Sequence, residues 1–193
     1  VVADRRKTFF TGSSINFDGT DNFAVIEDHA DFTFGDGSSD SAFSVSAWIN
    51  MDDATDFTIL NKGVYNTDAE WNFRVNSSDK LIVALYDESV TNTHESLVSD
   101  SAITTHEGSW IHVAATYDGT GGTSANGGLA LYLNGSALAS SVADAGTYVA
   151  MENKTSNVFI GRMGTDYANG KITDVAIWNT VLVLGDILKI YNS

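Results

Sequence analysis

The segment Phe43-Ser44-Val45-Ser46-Ala47-Trp48-Ile49 decides the fold class, because apolar and small polar side chains alternate along it. A strand sends successive side chains to opposite faces, so this alternation belongs to a sheet with one face on a core and the other toward water. Leu129, Leu131 and Leu133 repeat the pattern, with Ala130 and Tyr132 on the opposite face. Outward from these segments, β-branched or aromatic runs separated by Gly, Asp, Asn and Ser clusters read as further strands. They lie at Ser14 to Phe17, Phe23 to Glu27, Phe57 to Asn61, Trp71 to Asn76, Lys80 to Tyr86, His94 to Val98, Trp110 to Tyr117, Val158 to Gly161 and Lys171 to Trp178. The strand of Phe43 itself runs to Met51 and that of Leu129 to Asn134. Only Val181 to Tyr191 suggests a short terminal helix, since Leu184, Ile187, Leu188 and Tyr191 fall at i, i+3, i+4 and i+7, against the opposing vote of Gly185. No strand–helix–strand rhythm appears, which disfavours a doubly wound α/β fold and leaves an all-β protein of antiparallel sheets. Gly119 to Gly128 (GTGGTSANGG) reads as a flexible connection, and it lacks the Lys and the strand-to-helix setting of a phosphate loop.

A chain of 193 residues fits one all-β domain, and 43% hydrophobic with 11% aromatic residues supplies a core without staples. Cysteine is absent, so disulfides and thiolate zinc sites play no part. Twenty-five Asp plus Glu against 10 Lys plus Arg give a net charge of −15, which repels phosphate backbones and argues against nucleic acid as a partner. The same excess suits divalent cations, a salty environment or simply a soluble surface. No run approaches the roughly 18 apolar residues of a membrane span, so no membrane insertion is expected. Val1 to Phe10 (VVADRRKTFF) carries charges where a signal peptide needs an apolar centre. Residues 1–12 are therefore read as an extension or linker ahead of a domain at 13–193, and the initial Val as the mark of a processed or excised chain.

Several segments in fixed order resemble the laminin-G-like family of the concanavalin A-like lectin/glucanase superfamily. They are Ile15-Asn16-Phe17-Asp18-Gly19-Thr20-Asp21-Asn22-Phe23, the Phe43 to Ile49 segment, Ile59-Leu60-Asn61-Lys62-Gly63, and Trp110-Ile111-His112-Val113-Ala114-Ala115-Thr116-Tyr117-Asp118-Gly119. Leu131-Tyr132-Leu133-Asn134-Gly135, Phe159-Ile160-Gly161-Arg162 and Gly170-Lys171-Ile172-Thr173-Asp174-Val175-Ala176-Ile177-Trp178-Asn179 follow. The resemblance spans roughly Ser13 to Tyr191 and implies a two-sheet antiparallel jelly-roll sandwich. Trp48, Trp110 and Trp178, lying in family-like strands, are expected in the core. Tyr117 is expected there too, with its hydroxyl hydrogen-bonded, and His112 reads as a structural histidine.

The resemblance also implies a structural Ca²⁺ between the first strands and the last long strand, held by Asp18 or its neighbouring carbonyls and by Asp174, although Thr173 stands where many relatives carry an acid. The competing reading is that Asp18 caps an Asx turn and Asp174 faces solvent. Sugars present apolar C–H faces and hydroxyl edges, so aromatic platforms beside amide or guanidinium groups suit them. Tyr65, Trp71, Arg74 and Tyr86, with Asn66 and Asn72 close by, form that set on consecutive central strands. Trp71, Phe73 and Val75 alternate with Asn72, Arg74 and Asn76, so if one set is buried the other is exposed, and Trp71 reads equally as an ordinary core residue.

Catalysis finds little in the sequence. No strand carries carboxylates on alternate residues, the four histidines His29, His94, His106 and His112 lack metal-ligand spacing, and glutamine is absent. The expectation is a non-catalytic recognition or adhesion module, glycan-binding and calcium-stabilised, in an extracellular, cell-surface or virion protein. Its partner would be a glycan or a surface protein, with homo-oligomers or repeats within a larger assembly. A purely structural decoration, fibre or surface-layer domain is the main alternative, and a polysaccharide-active enzyme the minor one.

Overall fold

Phe43, Val45, Ala47, Ile49 and Met51 are all buried, so the alternation read in the sequence becomes the inner face of a long central strand. The computed structural model describes residues 13–193, and the extension read at 1–12 lies outside the described residues. In chain order the strands are β1 (Ile15–Asp18), β2 (Ala24–Ile26), β3 (Phe43–Asp53), β4 (Thr58–Lys62), β5 (Trp71–Val75), β6 (Leu81–Tyr86), β7 (His94–Ser99) and β8 (Ile111–Tyr117). There follow β9 (Leu129–Leu133), β10 (Ser136–Ala137), β11 (Ser140–Val142), β12 (Val158–Ile160), β13 (Arg162–Met163), β14 (Asp166–Tyr167), β15 (Asn169–Trp178) and the helix α1 (Leu184–Tyr191).

Two antiparallel sheets result, one of order β1-β15-β3-β8-β9-β10 and one of order β11-β7-β6-β5-β4-β12-β2. Their inner faces close on one core. There Phe34 stacks on Phe43 at 4.4 Å, Trp71 lies 5.6 Å from Phe43, and Tyr117 meets Phe43 edge-on at 5.9 Å. The antiparallel sandwich expected from the alternation is therefore the observed fold.

Three tryptophans expected in that core lie elsewhere, and the strand period explains why. In β3 the odd-numbered residues face inward, so Trp48 points to the outer face of the six-stranded sheet. Trp178 pairs in register with outward-facing Ser44 and shares that face. Trp110 stands just before β8, out of step with inward Ile111, Val113 and Ala115, and is 42% exposed. Trp48 is instead covered by the terminal helix, its ring stacked on Tyr191 at 5.6 Å and 5.5 Å from His112. Ile187 is fully buried against Ala114 and Tyr132, making a small second core beneath α1.

The Gly-rich connection is ordered rather than free. Gly122–Gly128 winds into a 3₁₀ run with Ala125 buried, and the Asn126 side chain donates to Glu95 at 2.6 Å and Asp144 at 2.7 Å. Its start is held by Gly121 N–H donating to the Tyr117 hydroxyl, which donates in turn to Asp40 at 2.6 Å. Tyr148 OH and Met151 N–H also donate to Asp40, tying two further loops to one half-buried carboxylate whose pKa desolvation raises.

Candidate functional site

The seven-stranded sheet turns Trp71, Phe73 and Val75 into the core, so Asn72 and Arg74 necessarily face the other way. Register extends that outer face across the strands. Ser96, Ala84, Asn72, Asn61, Phe159 and Val25 form one row, and Val98, Ile82, Arg74 and Thr58 the next. His94 and Tyr86 are paired at the far end of β6 and β7.

Over this last pair sits Tyr65, carried by the turn that follows β4. Val64 N–H donates to Asp68 at 2.7 Å, Asn66 N–H to Glu88 at 2.8 Å and Asn66 Nδ2 to Asn92 at 3.0 Å, which fixes the turn. The Tyr65 ring lies 4.9 Å from Tyr86 and meets His94 edge-on at 5.7 Å. Burial lowers the His94 pKa, favouring a neutral imidazole. With Nε2 3.1 Å from the Ala143 carbonyl, the proton belongs on Nε2, leaving Nδ1 to accept from Tyr65 OH at 3.4 Å.

Asn72 Nδ2 donates to Tyr86 OH at 2.7 Å and contacts Met163 Sδ at 3.3 Å. Burial pushes the Tyr86 phenol up to about 12, so it remains a neutral hydroxyl with its proton to give. Arg74 Nη1 lies 3.5 Å from Asp56, whose pKa is raised by burial, with Asp166 adding to that effect and Arg74 opposing it. Among the described residues, three buried polar atoms on this face have no hydrogen-bond partner: Asn72 Oδ1, Arg74 Nε and Thr58 Oγ1. A buried polar group left unpaired costs about 1–3 kcal/mol, so neighbouring ones mark a place where water or a ligand group completes the bonding.

The structure thus brings together Tyr65 and Tyr86, and puts Arg74 on the same face. Trp71 is corrected: it is fully buried with Nε1 donating to the Phe32 carbonyl at 3.0 Å, so it offers no platform. His94 and Met163 are participants that the sequence reading missed, and pairing β6 with β7 in register is the signal that places His94 beside Tyr86.

The two aspartates expected to share a Ca²⁺ do not fit one ion. Asp18 pairs with Asn169, and the stretch of β15 from Asn169 to Asp174 covers about 16 Å at roughly 3.3 Å per residue. Asp18 is occupied in its own turn, accepting from Asn22 Nδ2 at 2.9 Å and from the backbone N–H groups of Thr20 at 2.9 Å and Asp21 at 3.2 Å, and these backbone donors lower its pKa. Asp174 is exposed at an irregularity of β15, with φ 49°. Among the described residues, no group of three or more His, Cys, Asp or Glu is placed to hold a metal ion.

Solved structures with the same architecture include a heptameric SAP-like pentraxin from Limulus polyphemus, at 18% identity and TM-score 0.56, covering 92% of this chain and 81% of that one. The binding domain of botulinum neurotoxin DC, solved with rat synaptotagmin II, matches at 16% identity and TM-score 0.65 over 97% of this chain and 44% of its own. Botulinum neurotoxin type C, described in terms of cell entry through two ganglioside molecules, matches at 17% identity and TM-score 0.62 over 91% of this chain and 42% of its own. This chain therefore spans less than half of those toxin chains, and identities this low speak for the fold alone. No curated protein matches it in sequence. The laminin-G profile described as Concanavalin A-like lectin/glucanases superfamily matches residues 18–188, and the chain belongs to that family.

Proposed function

We propose that the chain is a non-catalytic glycan-recognition module whose binding surface is the outer face of its seven-stranded sheet. The observation that carries this reading is the meeting of the Tyr65, Tyr86 and His94 rings with Asn72 and Arg74, two side chains that keep unpartnered polar atoms. An aromatic ring takes the C–H face of a sugar, while amide and guanidinium groups bond its hydroxyls. The lectin-like family and the ganglioside-linked toxin among the structural neighbours support the same class of ligand. Sites of this size bind in the millimolar to micromolar range, about 4 to 8 kcal/mol, so adhesion needs several copies acting together. Such a module suits an extracellular, cell-surface or virion protein.

The test is titration with a panel of oligosaccharides, comparing the parent with Tyr65→Ala and Asn72→Ala. Binding that each substitution weakens about tenfold, roughly 1.4 kcal/mol, supports the reading. A panel without a binder, or a binder indifferent to both substitutions, refutes it. Incubation with polysaccharides followed by a reducing-end assay should release no ends, and specific turnover would replace the module with an enzyme.

A further inference from the structure

At the β2 edge of the same outer face stands a cation that has no carboxylate partner among the described residues. Gly161, in a left-handed conformation (φ +83°) and pressed against the Phe17 ring, turns the chain out of β12 into the β13–β14 hairpin. Within the hairpin Arg162 pairs with Tyr167 and Met163 with Asp166, so the hairpin's own acid lies on the opposite face from Arg162. The guanidinium of Arg162 rests 4.7 Å from the Phe23 ring centroid, 5.3 Å from Phe159 and 5.8 Å from Tyr167. Its Nε donates to the Gly164 carbonyl at 3.1 Å, which fixes the plane of the group.

Among the described residues, Lys62, Arg74 and Lys189 have carboxylate partners, whereas no carboxylate comes within ion-pair distance of Arg162. Its two terminal nitrogens make no bond to any described residue. A planar fork held against aromatic rings presents both terminal donors to a carboxylate at once. Phe23 is 42% exposed and Val25 51% exposed, so an apolar surface for C–H groups adjoins those donors.

We propose that Arg162, in its setting of Phe23, Phe159 and Tyr167, is a subsite for the carboxylate of an acidic sugar, such as a uronic acid. This rests on the glycan-binding reading and names the class of sugar. The cation–aromatic contacts remove water from one side of the guanidinium, which strengthens its bond to an anion on the open side. The surrounding negative charge discourages anions that do not dock at this point.

The experiment compares a glucuronate-terminated disaccharide with its glucose-terminated counterpart on the full chain, using ligand-observed NMR and competition. The acidic sugar should bind about 10- to 100-fold more tightly than the neutral one. Arg162→Gln should abolish that preference while leaving the neutral affinity and the melting temperature unchanged. Arg162→Lys, a point charge without the fork, should keep only a small part of it. Equal binding of both sugars, or a preference that survives Arg162→Gln, overturns the subsite and leaves the glycan reading standing. Failure of both sugars to bind overturns the two together. A short peptide with a free C-terminal carboxylate that binds as well as the acidic sugar, and loses binding in Arg162→Gln, overturns the sugar class.

Discussion

Replacing Lys62 by Met should destabilise the fold in a way that depends on pH with a definite sign. Lys62 is fully buried, with Nζ 2.6 Å from Asp28, 3.1 Å from Glu70 and 2.7 Å from the Ser156 carbonyl. Burial raises the Glu70 carboxyl from 4.5 to about 7, with Lys62 opposing the rise. A carboxyl whose folded pKa lies above its unfolded value stabilises most below about 4.5, and that contribution is lost as pH climbs through about 7. Without Lys62 the folded pKa of Glu70 moves higher still, so the variant loses stability over a more alkaline range. At pH 5 Glu70 is neutral in both proteins, and the cost is that of the lost bonds to Asp28 and Ser156, about 1.5–3 kcal/mol. At pH 8 the parent holds a paired carboxylate and the variant an unpaired buried acid, and the cost rises to about 3–5 kcal/mol. Urea unfolding followed by tryptophan fluorescence should show the midpoint at pH 8 falling by about 1–3 M. Adding Glu70→Gln should flatten the pH dependence. A cost that is the same at both pH values, or larger at pH 5, refutes this account of the buried cluster.

Two further outcomes follow from the fold and the metal geometry. Trp71→Ala empties a fully buried site in the main core and should cost about 3–5 kcal/mol, whereas Trp110→Ala at a 42% exposed position should change the urea midpoint little; comparable losses would contradict the assigned faces. A Ca²⁺ stabilisation that depends on both Asp18 and Asp174, read as the difference in melting temperature between EDTA and excess Ca²⁺, should be absent, because Asp18 pairs with Asn169 while Asp174 lies five residues further along β15. A Ca²⁺ stabilisation that each of Asp18→Asn and Asp174→Asn abolishes would restore a shared site.

The two-sheet fold was legible because the central strands β3 and β9 keep a period of two. Phe43 through Met51 and Leu129 through Leu133 announce an inner face that the packing then occupies. The same period sends Trp48 to the face covered by α1 and Trp110 to the surface, whereas the family resemblance of their strands had implied a place in the core. The ordered Gly122–Gly128 turn was hidden because its restraint comes from Glu95 and Asp144, far away in sequence. The candidate site was half legible. Tyr65, Arg74 and Tyr86 lie on or near the strands that carry them, whereas His94 joins through β6–β7 register and Arg162 through a two-residue hairpin that local pattern does not mark. The burial of Lys62 has no local signal, because the carboxylates that compensate it, Asp28 and Glu70, arrive from other parts of the chain.

The most direct test of the sheet-face assignment is an NMR titration of the isotopically labelled chain with a bound oligosaccharide, reading the side-chain amide of Asn72, the Nε–H of Arg74 and the ring signals of Tyr65 and Tyr86. Shifts concentrated on these groups, with Trp48 and Trp110 unmoved, are the predicted result. Shifts confined to the α1-covered face of the other sheet, with Asn72 and Tyr65 silent at saturation, would contradict it.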